Sequence, residues 1–421
     1  MTSQQEWLSG MRACLVTTGQ PATNPRLVKE ADALSDVGAD VHVIACKFRA
    51  WADDADAVYA SRDWTMHWLR FGEQAPRWKD LWQRARRKGA RIFARYVGPR
   101  PGLAERSLHY AAPEMNRMAL NVPADLYIAH NLSALPPAYH AAQRHDGALG
   151  FDAEDFHRGE QPRTFEDPFV RSLTEQVEER YIPQCDYVTA ASRGIGEAYA
   201  DALGIEQPTT ILNVFPWSER EQDVSEEALS NEVPAGKKSL YWFSQSIGPN
   251  RGLEEALQAL PHLPSDIILI LRGEWRPGYE ETFRSQAQAL DVNDRVRHLD
   301  LVPPDELIPR TSQHDVGLAL EQPISRNREI CLTNKLFTYL LAGVPFVASL
   351  TSGQRPIVED LPRAARGYEP GDVRGLFKAV SGLLQDEQAS NAALQAAQDQ
   401  YCWNVEKNTF LEIVRQTLKQ E

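Results

Sequence analysis

Short apolar segments alternate with segments of helical periodicity along most of this chain. Near the start, a strand is predicted over 12–17, a helix over 26–37 and a second strand over 41–45. A strand, a crossover helix and a second strand form the unit from which parallel sheets are built. More strands are predicted at 126–129, 148–151, 187–190, 239–243, 267–271, 296–299, 316–320 and 345–349. The pattern therefore predicts an α/β fold with parallel sheets.

The length and one polar stretch indicate two domains. A chain of 421 residues is too long for one compact core. Residues 219–238 are acidic and rich in Ser and Glu, which is typical of a linker. We therefore expect a Rossmann-like domain over 1–216 and a second one over 217–395, facing each other across a cleft. In such doubly wound sheets, ligands bind beyond the carboxyl ends of the strands.

Composition disfavours several functional classes. The net charge of −13 argues against general nucleic-acid binding. We find no apolar segment of the roughly 20 residues that a membrane helix needs, and the polar N-terminus does not resemble a signal peptide. The five cysteines are scattered, which favours reduced thiols and a cytoplasmic protein. The histidines show no metal-binding spacing, so no metal site and no cofactor are expected.

The segment 321–349 has the most informative pattern. It reads as a loop, a helix, a turn and a strand, and Gly343 ends the helix. Thr333 or Asn334 is expected to cap the helix, and Asn334, Lys335 and Thr338 are expected on its exposed face. A helix N-terminus beside a lysine is suited to binding an anion. An ordinary α/β helix with a solvated lysine is the alternative.

The run NKLFTYLLAGVP at 334–345 resembles the nucleotide-sugar-binding helix of GT-B glycosyltransferases. The resemblance is closest to the bacterial retaining enzymes of family 4. It continues in the same order at five other segments, which are 19–26, 124–130, 151–155, 246–252 and 401–403. It implies the GT-B fold, in which a last helix, here within 396–421, crosses back onto the first domain. It also implies transfer of a sugar from a nucleotide-diphosphate donor.

The resemblance also implies a donor site. The residues expected to bind the donor or its diphosphate are Gly19, Arg251, Glu321, Asn334, Lys335 and Thr338. Thr338 stands where the family has the second glutamate of an E-x7-E pattern, which holds the ribose hydroxyls. The first glutamate would fall at Ile330, so Glu329 beside it, or Glu321, is expected to contact the donor sugar.

The expected catalytic residues are His130, Glu154, Asp155 and Glu329. His130 would orient the donor sugar or the oxocarbenium ion that develops from it. In a retaining enzyme the leaving phosphate can take the proton of the acceptor, so no separate base is needed. If the enzyme inverts configuration, Glu154, Asp155 or His157 is the natural general base. Helix N-termini and cations can stabilise the leaving group without a metal.

A basic helix is predicted inside the acidic first domain. Nine basic residues and one acid lie within 77–100, and aromatic residues recur at helical spacing. Such a helix is suited to lying on an anionic membrane surface. The alternative is a helix whose aromatic residues pack on the first domain.

We therefore expect a cytoplasmic glycosyltransferase that is peripheral on the inner face of the plasma membrane. Its expected partners are a nucleotide sugar and a saccharide or polyprenyl-linked acceptor, in bacterial surface or exopolysaccharide assembly. Two alternatives stay open at this point. One is a nucleotide-sugar epimerase with the same fold, and the other is a degenerate protein that binds nucleotide or a partner without catalysis.

Overall fold

The computed structural model describes residues 7–48 and 56–419. The chain forms two compact units. The first contains the described residues up to Ile211 together with those from Lys407 onward, and the second runs from Leu212 to Glu406. Each unit is built around one sheet.

The first unit contains seven strands and seven α-helices among its described residues, and the C-terminal part of the second unit's last helix also belongs to it. The strands are β1 Arg12–Thr17, β2 Asp40–Lys47, β3 Trp64–Arg70, β4 Leu126–His130, β5 Ala148–Ala153, β6 Tyr187–Ala190 and β7 Thr209–Thr210. The helices are α1 Pro25–Asp36, α2 Arg77–Val97, α3 Leu103–Leu108, α4 Ala112–Ala119, α5 Leu135–His145, α6 Pro168–Tyr181 and α7 Arg193–Leu203.

The sheet of the first unit is parallel and doubly wound. Its strand order is β3-β2-β1-β4-β5-β6-β7, and its central strands are fully buried because they consist almost wholly of apolar residues. Pairing aligns Thr17 with His130 and His130 with Asp152, so residues at the carboxyl ends of three strands lie side by side. The order reverses between β1 and β4, which is where such sheets bind ligands.

The second unit contains six strands and ten α-helices in the described chain. The strands are β8 Lys238–Ile247, β9 Ile267–Trp275, β10 Val296–Leu299, β11 Val316–Ala319, β12 Phe346–Ser349 and β13 Ala365–Tyr368. The helices are α8 Glu226–Ser230, α9 Leu253–Ala259, α10 Tyr279–Ala289, α11 Leu307–Thr311, α12 Arg326–Ile330, α13 Asn334–Ala342, α14 Arg355–Asp360, α15 Val373–Leu384, α16 Ala389–Asp399 and α17 Trp403–Lys419, the last of which continues into the first unit.

The second sheet is also parallel, with the order β10-β9-β8-β11-β12-β13. This is the Rossmann order, and its reversal lies between β8 and β11. Helices pack on an apolar core that includes Trp242, Leu269 and Leu318. The predicted α/β fold with two doubly wound sheets is confirmed.

Three strands and one linker differ from the sequence analysis. β3, β7 and β13 were not predicted, because none of them is a continuous apolar run. The stretch 219–238, interpreted as a linker, is packed into the second unit. Glu232 within it is 2% exposed and accepts hydrogen bonds from Arg272 and Arg310.

No α-helix among residues 7–48 and 56–419 is long and apolar enough to cross a membrane.

Candidate functional site

Three of the predicted donor-site residues meet at the reversal point of the second sheet. Glu321 follows the carboxyl end of β11, Arg251 lies in the loop between β8 and α9, and Lys335 is in the first turn of α13. Because β8 and β11 are neighbours in the sheet, the loops that follow them are brought together. The sequence analysis named Arg251 and Lys335 as residues that bind the donor or its diphosphate, and the structure gathers both around Glu321.

Glu321 is the acid at the centre of this cluster. Its side chain is buried and accepts a hydrogen bond from Lys335 Nζ at 3.1 Å and another from Arg328 Nη1. Burial alone would raise the pKa of Glu321, but the charges of Lys335, Arg328 and Arg251 lower it to about 2. Glu321 is therefore ionised at neutral pH.

The cations around Glu321 outnumber it. Burial lowers the pKa of Arg251, the charges of Arg328 and Arg276 lower it further, and Glu321 acts in the opposite direction. Burial also lowers the pKa of Lys335, which Glu321 opposes. Three basic side chains, Lys335, Arg328 and Arg251, thus act on one carboxylate, and Arg276 lies near Arg251, so the cluster keeps an excess of positive charge. Charge-assisted donors concentrated in this way are suited to binding a di- or trianionic group.

Two glycines allow Arg251 and Arg276 to lie close to the backbone around this cluster. Gly252 has a φ of +70°, and a Cβ atom there would lie 2.5 Å from the carbonyl oxygen of Leu320. The turn that carries Arg251 therefore crosses directly over the end of β11. A Cβ atom at Gly248 would lie 2.6 Å from Cδ of Arg276, so the side chain of Arg276 packs against the backbone of the same loop. Glycine is needed at Gly252 for both conformation and space.

Helix α13 differs from its prediction in exposure. Lys335 is 6% exposed and Thr338 is 0% exposed, although the sequence analysis placed both on an exposed face. The Nζ atom of Lys335 donates a hydrogen bond to the buried carboxylate of Glu321 at 3.1 Å, so this side chain points into the cluster and not into solvent. Thr333 occupies the N-cap position, but its hydroxyl oxygen accepts from Lys335 Nζ at 3.2 Å and not from the helix backbone.

The other predicted residues of the second unit lie close by in sequence. Asn334 is the first residue of α13 and is half-buried. Glu329 lies in α12, and its carboxylate is 3.3 Å from Arg326 Nη1. The hydroxyl of Thr338 is buried without a hydrogen-bond partner in the described structure. Its expected contact with ribose stays a prediction.

A second cluster of charges lies at the reversal point of the first sheet. His130 ends β4 and is 0% exposed. Its Nε2 atom is 3.2 Å from a carboxylate oxygen of Glu30, and its Nδ1 atom is 3.4 Å from Asp152 and 3.5 Å from Glu154. Arg26 donates two hydrogen bonds to Asp152, at 2.6 and 2.5 Å. Arg26 and His130 form an ion network with these three carboxylates, which is buried except at Glu154.

The protonation of His130 follows from these neighbours. Burial alone would lower the pKa of His130, but the charge of Glu30 and the carboxylates of Asp152 and Glu154 raise it well above its usual range. The imidazole is therefore held as a cation at neutral pH. Because the ring is enclosed, the positive charge of the imidazole interacts with its carboxylate partners and not with solvent.

This network also contains the side chains that could hold a metal ion in the described part of the chain. One ligand atom each of Glu30, His130 and Asp152 lies within 4.8 Å of the others. Both oxygens of Asp152 are bonded to Arg26, and Thr189 donates a third hydrogen bond to it at 2.8 Å. A cation here would therefore have to displace Arg26 from Asp152.

The remaining predicted residues of the first unit surround this network. Gly19 follows β1, and its N–H donates to Thr17 Oγ1 at 3.0 Å. Glu154 is partly exposed and accepts from Asn24 Nδ2 at 2.8 Å. Asp155 is half-buried, and its carbonyl oxygen accepts from Tyr199 at 3.2 Å. Glu154 is thus the one predicted catalytic carboxylate that combines contact with His130 and access to solvent.

Sequence reasoning missed several members of both clusters. Arg276 directly follows β9, and a cation after a parallel strand was the signal that could have identified it. Arg328 was not among the predicted site residues, yet it binds the central carboxylate. Arg26 and Glu30 lie in α1, where helical periodicity alone does not indicate which polar residues face the sheet.

The sequence matches no known family model, and no curated protein is significantly similar to it in sequence. Solved structures are similar in fold over nearly the whole chain. HepE from Anabaena, solved with UDP and glucose, has a TM-score of 0.70 at 18% identity, over 96% of this chain and 100% of that one. Sucrose-phosphate synthase from Thermosynechococcus elongatus has a TM-score of 0.70 at 16% identity, with coverages of 98% and 100%. WaaG, a glycosyltransferase involved in lipopolysaccharide biosynthesis, has a TM-score of 0.64 at 12% identity, with coverages of 95% and 99%.

The chain has the fold of the GT-B glycosyltransferases. The predicted fold is therefore confirmed, and the closer resemblance to retaining family 4 enzymes stays a prediction.

Proposed function

We propose that this protein is a glycosyltransferase that takes a sugar from a nucleotide-diphosphate donor. The observation that carries the proposal is the cation cluster around Glu321 at the reversal point of the second sheet. Arg251, Arg328 and Lys335 share one carboxylate there, so a diphosphate would supply the missing negative charge. HepE, which has the same fold, binds UDP and UDP-glucose, which supports the same class of ligand here.

The cluster suits the chemistry of the leaving group. Transfer breaks the bond between the anomeric carbon and the diphosphate oxygen, and the bonding electrons leave with the nucleoside diphosphate. Arg251 and Lys335 would stabilise the charge that develops on that oxygen, together with the N–H groups at the start of α13. We propose that this positive charge takes the place of a divalent metal.

We propose that residues of the first unit act on the acceptor. His130 is fully buried among carboxylates, so we assign it a positioning role through Glu154 in place of direct contact with the sugar. Glu154 and Asp155 are the candidates to orient the acceptor hydroxyl, or to take its proton if configuration inverts. In a retaining reaction the diphosphate oxygen takes that proton. Gly19 provides the close turn after β1.

The donor sugar would be contacted by Glu321 or Glu329, and the ribose by Thr338. The acceptor is a saccharide or a lipid-linked saccharide, and the setting is surface or exopolysaccharide assembly. WaaG supports this setting, since it acts in lipopolysaccharide biosynthesis.

A thermal-shift screen against nucleotide sugars tests the proposal, followed by product analysis. A ligand at 100 times its dissociation constant adds about 2.7 kcal/mol of stability. We expect stabilisation by a nucleotide sugar, starting with UDP-glucose, and release of nucleoside diphosphate when a saccharide acceptor is added. A mixture of epimeric nucleotide sugars without acceptor would instead indicate an epimerase. Binding without turnover would indicate a non-catalytic protein, and absence of binding would refute the proposal.

A further inference from the structure

Helix α2 exposes an unusual amount of apolar surface. Six of the nine large apolar side chains that are exposed in residues 7–48 and 56–419 belong to this helix. Trp78 is 73% exposed, Trp82 is 61% exposed and Tyr96 is 85% exposed. The alternative in which these aromatic residues pack on the first unit is therefore wrong.

The exposed apolar side chains form one continuous band. At 3.6 residues per turn they fall within about 120° of arc along the whole helix. We call this band the apolar stripe, and it consists of Trp78, Leu81, Trp82, Ala85, Gly89, Ile92, Phe93 and Tyr96, all exposed. A helix on the surface of a water-soluble protein normally has the opposite arrangement, with its polar face outward.

The inner face of α2 explains how the helix is held. The buried residues are Gln83, Ala90 and Ala94, which are polar or small. Arg86 donates to Glu114 at 2.9 Å and to the carbonyl oxygen of Tyr110 at 2.7 Å. These contacts fix the helix through its polar side, so the apolar stripe is presented outward by the fold.

Exposed cations follow one border of the stripe. We call this border the basic edge, and it consists of Arg77, Arg84, Lys88 and Arg95, all exposed. At helical geometry these four positions lie within about 40° of arc. The guanidinium of Arg95 lies 4.6 Å from the ring of Phe169 in α6, which orients it. The acid of the helix, Asp80, is mostly buried and paired with Arg84.

We propose that helix α2 binds an anionic lipid membrane in the plane of its surface. The apolar stripe would enter the boundary between headgroups and acyl chains, and the basic edge would contact lipid phosphates. The positive charge of the basic edge favours an anionic membrane over a second copy of this chain as the partner of the apolar stripe. A second copy of this chain would bring one basic edge near another. The whole chain has a net charge of −13, so the cations on this helix stand out against an acidic protein. The proposal rests on the helix alone and not on the proposed transfer reaction.

Co-sedimentation of the full chain with vesicles tests this proposal. We expect binding to vesicles of phosphatidylcholine with phosphatidylglycerol at low salt, weak binding to phosphatidylcholine alone, and loss of binding at about 0.5 M salt. Trp78 and Trp82 should also be quenched by brominated lipid. If the wild-type protein stays in the supernatant with anionic vesicles at low salt, the proposal is refuted.

Two paired variants separate charge from apolar contact. Arg84→Glu with Lys88→Glu should weaken vesicle binding at least about 30-fold, since each cation near an anionic leaflet is worth about 1 kcal/mol. The control, Lys237→Glu with Lys238→Glu, makes the same change in net charge at exposed residues of the second unit and should bind like wild type.

Trp78→Ser with Trp82→Ser should weaken binding at least about tenfold, in the range for burial of large apolar side chains. Leu301→Ser with Val405→Ser is the control, because both residues are exposed outside the stripe. Equal losses in variants and controls would refute the assignment. So would a concentration-dependent dimer in sedimentation velocity that Trp78→Ser with Trp82→Ser abolishes, because the stripe would then be a protein interface.

Discussion

Replacement of Glu321 by glutamine removes the carboxylate that holds the cation cluster together. The residue is 3% exposed, and its carboxylate is bonded to Lys335 and Arg328. The pKa of Glu321 falls from 4.5 to about 2 on folding, which corresponds to about 3 kcal/mol of stability at neutral pH. Loss of one partner from a buried ion pair typically costs about 3–5 kcal/mol. We therefore expect Glu321→Gln to lower the free energy of unfolding by about 3 kcal/mol or more.

Urea unfolding at pH 7 measures this loss, with Glu369→Gln as the control. Glu369 is also paired with an arginine, Arg355, at 2.8 Å, but its side chain is 60% exposed. An exposed pair contributes at most about 1 kcal/mol, so the control should be nearly neutral. A similar effect in both variants would refute the reasoning.

Acid pH and a double variant test the ion pair between Glu321 and Lys335 in two other ways. A carboxylate whose pKa is lowered by folding stabilises the protein above its unfolded pKa and loses that contribution as the pH falls. The difference between wild type and Glu321→Gln should therefore narrow as the pH falls from 4.5 toward 2. The double variant Glu321→Gln with Lys335→Met should lose at least about 1 kcal/mol less free energy of unfolding than the sum of the losses in the two single variants. Additive losses would show that the two side chains do not interact.

Three further predictions concern the charge network, the glycine turn and the metal. Asp152→Asn should lower the free energy of unfolding by about 3–5 kcal/mol, measured with urea, because it leaves Arg26 buried without its charged partner; a loss under about 1 kcal/mol would contradict this. Gly252→Ala should lower the free energy of unfolding by more than about 1 kcal/mol and weaken UDP binding, because residue 252 has a left-handed conformation and a Cβ atom there would clash with Leu320. An unchanged affinity for UDP in titration calorimetry would show that this turn does not shape the site. Sugar transfer should continue in the presence of EDTA. If EDTA abolished transfer and added magnesium restored it, the reaction would require a metal.

Much of the fold could be predicted because the central strands are apolar runs between recognisable helices. β1, β6 and β10 have the predicted bounds. The missed strands lack that signal. In β3, for example, apolar and polar residues are mixed because it lies at the edge of the sheet. Edge strands gain less burial than central ones, so their sequences are less constrained.

The candidate site was predictable in part, for a related reason. Arg251, Glu321 and Lys335 each lie next to a helix start or a strand end, which sequence patterns can locate. Their burial depends on tertiary packing, so Lys335 was expected in solvent and is instead enclosed. The pairing of His130 with Glu30 joins a strand end to a helix far away in sequence, and no local pattern encodes such a contact.

Calorimetric titration of UDP into the wild-type protein and two variants tests the diphosphate site most directly. Arg251→Ala and Lys335→Ala should each weaken binding by about 1.5–3 kcal/mol, or roughly 10- to 150-fold, the range for hydrogen bonds to charged groups. Arg374→Ala, which removes an exposed arginine from the same unit, should bind like wild type. If Arg251→Ala and Lys335→Ala bind UDP as tightly as the wild-type protein, the cation cluster does not hold the diphosphate and the proposed donor site is wrong.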